Sequence, residues 1–309
     1  MSLAGSNPSY AEPDIDQVQK RVDTLYHEAE QAQERYQDVQ LRLKDLRRDL
    51  RGLRADERRQ ADRLGSVRTQ VEGSIVRAYQ GQDLSTVGQV VLSDDPSAFL
   101  SQLSTASEYN VLQSGIYSDY ATELKALNIR QEATRTRTAE IAAAEREAAD
   151  AKASVDKKLA EAKALLSDLK EKERQAIASR GAGVTRIPSN IPASGRGSAA
   201  VRFALAQVGD AYVYGAAGPN AWDCSGLTMV AWGQAGVGLP HSSSAQFGSG
   251  PHIPASALRP GDLVFYYSPI SHVGIYIGNG MIVHAAHPGA GVRVAGLYSM
   301  PFAGAVRPG

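Results

Sequence analysis

From Ile15 onward, apolar or small residues recur at alternating steps of three and four: Ile15, Val18, Val22, Leu25, Ala29, Ala32, Tyr36, Val39, Leu43, Leu46, Leu50, Leu53, then Leu64, Val67 and Val71. The seam breaks only at Glu57 and Gln60, and charged residues fill the other positions. A heptad pattern of this length predicts one helix over about 14–78, roughly 95 Å long at ~1.5 Å per residue. Such a helix cannot cover its own stripe. Asp95 before Pro96 reads as a second helix start, an N-cap followed by a first-turn proline. The rhythm resumes at Phe99, Leu103, Ala106, Tyr117, Tyr120, Leu124 and Leu127, and again from Ile141 through Ala148, Val155, Leu159, Ala162, Leu166 and Leu169. Chain breakers between the two runs favour an antiparallel coiled-coil hairpin over residues 14–178, with a parallel dimer as the alternative.

The tip, residues 80–100, collects Leu84, Val87, Val90, Val91, Leu92, Phe99 and Leu100, more apolar surface than a turn needs, and is expected to dock a partner protein. Residues 1–13 read as a disordered leader. No signal peptide is visible where Met1-Ser2-Leu3-Ala4-Gly5-Ser6 runs into polar sequence, as expected of a chain whose leader has been removed. Residues 179–198, with Gly181, Gly183, Pro188, Pro192, Gly195 and Gly197, read as a flexible linker.

The 33 basic and 33 acidic residues cancel, so net charge gives no support to a nucleic-acid or anionic-membrane partner. Their distribution is lopsided. Residues 197–309 carry only Arg202, Arg259, Arg293, Arg307, Asp210, Asp223 and Asp262, with no Lys or Glu. That segment is a different architecture, a domain over 199–309. Ala199–Val208 and Cys224–Ala235 read as helices, the second apolar almost all round and therefore buried. Strand-like runs follow at Leu263–Tyr267, Val273–Ile277 and Met281–Ala285. Helices first and antiparallel strands after predict an α+β fold.

The chain's single cysteine, Cys224, stands at the first turn of the buried helix, in Asp223-Cys224-Ser225-Gly226. Free backbone N–H groups and the helix dipole favour a thiolate there, and Asp223 is placed to cap the helix. A thiol needs a base, and His272 at the mouth of an apolar strand is the candidate. A third group should orient the imidazole. With a two-residue turn at Asn279-Gly280, strand parity puts His287 on the face of His272; a bulge or longer loop brings His284 there instead. His284 and His287 lack the carboxylate or thiolate company of a metal site, and neither metal nor cofactor is expected. His27 belongs to the charged coil face and is expected in solvent. His241 and His252 read as loop or rim residues, with His241 able to line a cleft. Arg202 and Arg293 are candidates for a substrate carboxylate, though a surface arginine is the commoner case.

Asp223-Cys224-Ser225-Gly226, Pro260-Gly261-Asp262-Leu263, His272-Val273-Gly274-Ile275-Tyr276-Ile277-Gly278 and Val283-His284-Ala285 together resemble the NlpC/p-sixty family of bacterial cell-wall cysteine peptidases. The resemblance implies a papain-like fold for residues 197–309. It implies Cys224 as nucleophile, His272 as base, His284 as orienting residue, and Tyr212 of Tyr212-Val213-Tyr214-Gly215 near the oxyanion. Asp223, Ser225 and His241 are then the expected substrate-binding residues. The implied substrate is the peptidoglycan stem peptide, typically cut between D-glutamate and diaminopimelate, outside the cytoplasm. The hairpin looks like those of cell-separation hydrolases whose coils contact a membrane-embedded division complex. Two other functions compete: a catalytically silent coiled-coil scaffold, and an amidase or acyltransferase on the same fold. The layout also predicts that the long arm folds over the Cys224 cleft and holds it inactive.

Overall fold

The computed structural model describes residues 15–79, 96–167 and 195–309. Residues 84–92 of the tip, the Asp95 cap and most of the 179–198 linker lie outside these, as do the side chains of Phe99 and Leu100. Packing divides the chain into two compact units, Met1–Arg42 with Ala144–Gly309, and Leu43–Ala143.

Two long helices, α1 (Ile15–Tyr79) and α2 (Pro96–Ser167), run through both units. In the first unit they pair antiparallel: Arg21 meets Glu161, Glu28 meets Lys158 and Arg42 meets Glu147. Val22, Leu25, Ala29, Ala32 and Val39 are buried on α1, and Ala144, Ala148, Ala151, Val155 and Ala162 on α2. Exposed ion pairs of this kind contribute about 0–1 kcal/mol each, so the buried seam carries the pairing. In the second unit the same direction holds, with Asp49 near Arg137 and Gln60 against Glu123. Gln60 fills the break in the heptad, buried and donating to the Glu123 backbone carbonyl at 3.1 Å. Two seam residues expected on α2 are displaced from it. Tyr117 and Leu124 are exposed, while Ile116, Tyr120, Glu123 and Leu127 turn partly inward.

The C-terminal region of the first unit is α+β. In order come α3 (Arg196–Ala206), the paired two-residue strands β1 (Ala211–Tyr212) and β2 (Ala221–Trp222), α4 (Cys224–Gln234) and the short α5 (Ser243–Phe247). Five strands follow: β3 (Leu263–Tyr266), β4 (His272–Gly278), β5 (Met281–Ala285), β6 (Val292–Gly296) and β7 (Phe302–Val306). They form one antiparallel sheet in the order β6-β5-β4-β3-β7. Alternation along the strands sorts the side chains. Leu263, Phe265, Val273, Ile275, Ile277, Val283 and Ala285 pack with Val201, Ala204, Leu227 and Ala231 of α3 and α4. Val264, Tyr266, Ile282, Ala295 and Ala305 form a smaller cluster on the other face. The two outermost strands, β6 and β7, were not anticipated. Val292–Gly296 and Phe302–Val306 are short and rich in Gly and Ala. The second is held in place by Arg307, whose guanidinium donates twice to Asp262 at 2.7 Å.

Candidate active site

Asp223 caps α4 as its sequence predicts: Oδ1 accepts from the Gly226 N–H at 2.6 Å. Its other oxygen accepts from the Gly215 N–H at 2.8 Å, which ties the loop after β1 to the start of α4. Cys224 is thereby fixed in the helix's first turn, buried, with the Val273 backbone N–H directed to its sulfur. Cys224 Sγ and a ring nitrogen of His272 lie within 4.8 Å of each other.

The sheet settles which histidine stands behind His272. Register runs Ile275↔Val283 and Tyr276↔Ile282, then shifts before Gly278↔Met281, so β4 carries a bulge at Ile277. One extra residue flips strand parity. His284 therefore comes to the His272 face, and His272 Nε2 and His284 Nδ1 are 2.7 Å apart. Gly274 makes the room, since a Cβ built there would stand 3.1 Å from His284 Cβ. His287, favoured by strict two-residue parity, stacks instead on Tyr26, with ring centroids 5.2 Å apart. Burial, then the charge of His272, holds His284 well below the ordinary histidine range.

A third element completes the surroundings, and it comes from α1. Beside its heptad seam, α1 buries a second, polar face: Glu30, Gln33, Glu34 and Gln37. Glu30 Oε1 is 2.6 Å from His272 Nδ1. The Cys224 thiol donates to Glu34 Oε1 at 3.7 Å, and the Ser225 hydroxyl donates to the same oxygen at 3.1 Å. Glu34 Oε2 accepts from the Ser243 N–H at 2.6 Å and its hydroxyl at 2.7 Å. Gln37 Nε2 donates to Asp223 at 2.8 Å. Ser242 and Ser244 donate to Asp38, the latter at 2.7 Å. The Tyr214 hydroxyl donates to the Tyr26 carbonyl at 2.9 Å.

These contacts reverse the electrostatics that the sequence suggests for the thiol. Its position at a helix start favours a thiolate, yet burial, followed by the charges of Glu30 and Glu34, pushes the Cys224 pKa well above its usual value. Burial, together with the charge of Asp223, raises Glu34 to about 8. A neutral His272 that donates Nδ1–H to Glu30 accepts at Nε2 from His284 Nδ1–H. Its Nδ1 then has no lone pair for the proton of Cys224.

Arg202 lies on α3 and is exposed. His241 Nε2 meets Asp223 Oδ1 at 2.9 Å; burial lowers its pKa, but the hydrogen bond and charge of Asp223 outweigh burial and raise it. Tyr212 is buried edge-on to Tyr214 at 4.9 Å, its hydroxyl pKa driven up by burial and then by Glu30. His252 packs on Phe247. Arg293 sits opposite His284 in the β5–β6 register, and burial lowers its pKa. His27 departs from expectation. It is half-buried rather than in solvent, its ring 4.0 Å from that of Tyr267, and desolvation lowers its pKa. Glu30, Glu34, Gln37 and Asp38 were missed because they read as the solvated side of a coil. The available signal was their spacing: Tyr26, Glu30, Gln33, Glu34 and Gln37 repeat at helical intervals and define a second stripe.

A helix-borne cysteine facing a sheet-borne histidine, within an α+β domain of this strand order, defines the papain-like class. Residues 209–306 match the NlpC/P60 family, and the chain carries an NlpC/P60 domain at this end. A probable endopeptidase of Mycobacterium tuberculosis is 44% identical over 126 residues, covering 38% of this chain and 33% of that protein. A probable endopeptidase of Corynebacterium glutamicum is also 44% identical, over 116 residues, covering 38% of this chain and 56% of that one. The chain thus spans between a third and just over half of these relatives' lengths. Among solved structures, the NlpC/p60 domain of the peptidoglycan hydrolase SagA aligns at 34% identity and a TM-score of 0.34, covering 36% of this chain and 97% of that one.

Proposed function

We propose that the protein is a peptidoglycan endopeptidase of the cysteine type, acting outside the cytoplasm and held latent by α1. The observation that carries the proposal is the line Cys224, His272, His284, with a sulfur and a ring nitrogen within 4.8 Å and the two imidazoles 2.7 Å apart. Support for the substrate comes from the NlpC/P60 match and from relatives described as probable endopeptidases.

With Glu30 withdrawn, His272 Nδ1 takes the thiol proton and the thiolate attacks the scissile carbonyl. The Cys224 backbone N–H and the Tyr212 hydroxyl are assigned to the developing oxyanion. His272 returns its proton to the leaving amine, which departs and leaves a thioester. Water then gives a proton to His272 and its oxygen to the acyl carbon, and the thiolate leaves. His284 orients the imidazole throughout. Asp223, Ser225 and His241 are assigned to the substrate side, where Glu34 and Gln37 now sit. The favoured bond is D-glutamyl–diaminopimelate. Release of α1 is assigned to a partner engaging the hairpin, with a membrane-embedded division-complex protein as the candidate that the resemblance implies.

The test is digestion of purified cell wall by the full chain carrying Glu30→Ala and Glu34→Ala, with products identified by mass spectrometry. New termini at the D-glutamyl–diaminopimelate bond support the assignment. Products of another amide or ester bond point to an amidase or acyltransferase, and intact wall to a silent scaffold. In the same background Gly274→Val is expected to lower kcat at least ~10-fold, because its branches displace His284, and misplacement of about 1 Å costs up to ~10²-fold. A kcat unchanged by this substitution excludes His284 as the orienting group.

A further inference from the structure

Glu30, Cys224 and His272 come from three separate elements and bring a carboxylate oxygen, a sulfur and an imidazole nitrogen within 4.8 Å of one another, all buried. Those are three donors of the set that holds Zn²⁺, where metal–ligand distances of about 2.0–2.3 Å place neighbouring ligand atoms about 3.3–3.8 Å apart. Around a metal the 2.6 Å contact between Glu30 and His272 opens by less than about 1 Å, within reach of a carboxylate rotamer. His272 Nε2 is occupied by His284, which leaves Nδ1 for coordination and supplies the second imidazole that orients a metal-bound histidine.

Charge points the same way. Glu30, Glu34 and Asp223 are buried around one sulfur. Among the described residues their side-chain partners are serines, a glutamine, histidines and the thiol, with no lysine or arginine. Buried charges are paired or coordinate metals, and among the described residues the ion-pair partner of Glu30 is a histidine that can itself be a metal ligand. A thiolate with an imidazole favours zinc over magnesium or calcium, which prefer all-oxygen sites.

We propose that the latent protein binds one Zn²⁺ through Glu30, Cys224 and His272, so that the metal clamps α1 onto the cleft and blocks both catalytic atoms together. This rests on the latency proposed above. The exchange is balanced: the thiol loses one proton to solvent as the Zn–S bond forms, and no electron is transferred. The His272 proton moves from Nδ1 to Nε2, while that of His284 moves from Nδ1 to Nε2. The site plays no part in the hydrolysis, which the metal prevents.

The test titrates the full chain, freed of metal by a chelator and dialysed, with Zn²⁺ and with Co²⁺ as a spectroscopic probe. Expected are one bound equivalent, about one proton released per metal at neutral pH, and a near-ultraviolet thiolate-to-cobalt band that Cys224→Ala removes. Glu30→Gln, close in shape, is expected to weaken Zn²⁺ at least tenfold. Zn²⁺ but not Mg²⁺ is expected to raise amide-exchange protection over residues 26–38. No thiolate band, or Zn²⁺ held as tightly by Glu30→Gln as by the parent, overturns the site. Activity of the Glu30→Ala, Glu34→Ala chain in chelator reports on latency alone, so the two proposals fail separately.

Discussion

Replacing Glu30 and Glu34 together by alanine in the full chain is expected to raise stem-peptide hydrolysis at least tenfold, measured with chelator present. Glu30 engages His272 Nδ1 at 2.6 Å, and Glu34 takes the Ser243 N–H and hydroxyl at 2.6 and 2.7 Å. Hydrogen bonds to charged groups contribute about 1.5–3 kcal/mol net, and about 1.4 kcal/mol is a factor of ten in the open population. Losing the Glu30–His272 contact therefore accounts for the tenfold by itself. A rate unchanged by the double substitution means that α1 is not what restrains the enzyme. Acidity gives an independent reading of the same contact. Docking carries Glu34 from the ordinary carboxylate range up to about 8, so docking takes up a proton between those values. Below the ordinary range the carboxyl is neutral in both states and docking is at full strength. As pH rises toward 8, docking weakens by up to about 1.4 kcal/mol per unit, and the open fraction grows. Glu30, Asp223, Cys224 and His241 face the same space, so the readout is the difference between the parent and Glu34→Gln. The glutamine chain is expected to lose the part of the pH dependence that lies between about 5 and 8. Superimposable profiles from the two chains exclude Glu34 as the titrating group.

The second large effect belongs to the proposed nucleophile and base. In the released background, Cys224→Ala and His272→Ala are each expected to lower kcat by at least ~10³-fold, with substrate affinity retained. The two losses do not add, because thiolate and imidazolium act as one unit. His284→Ala is expected to fall between parent and His272→Ala, with partial recovery in His284→Gln, whose amide can still reach His272. A Cys224→Ala chain that still cuts wall peptides removes the cysteine mechanism outright.

Much of this was legible in the chain. The heptad gave both long helices, and the capped start of α4 gave the placement of Cys224, because local capping and helical period need no knowledge of distant residues. His284 was legible only conditionally. Parity along β4 and β5 depends on a bulge at Ile277 that no local propensity announces, and Gly274 was the one hint that something large stands opposite. The polar face of α1 was illegible for a different reason. Acidic residues on a coil are solvated unless something covers them, and what meets Glu34 lies 190 and 191 positions further on, at Cys224 and Ser225, while the partner of Glu30, His272, lies 242 further on. Tyr117 and Leu124 show the complementary error: a three-four rhythm read as buried where the second unit leaves them in solvent.

The segment occupying the cleft, around residues 26–38, precedes Cys224 in the chain. Synthesis proceeds from the N-terminus, so the segment that fills the pocket is made before the pocket exists. On the latency proposed above, an order of this kind leaves no interval in which the newly made domain stands open, and activation becomes an event imposed afterwards.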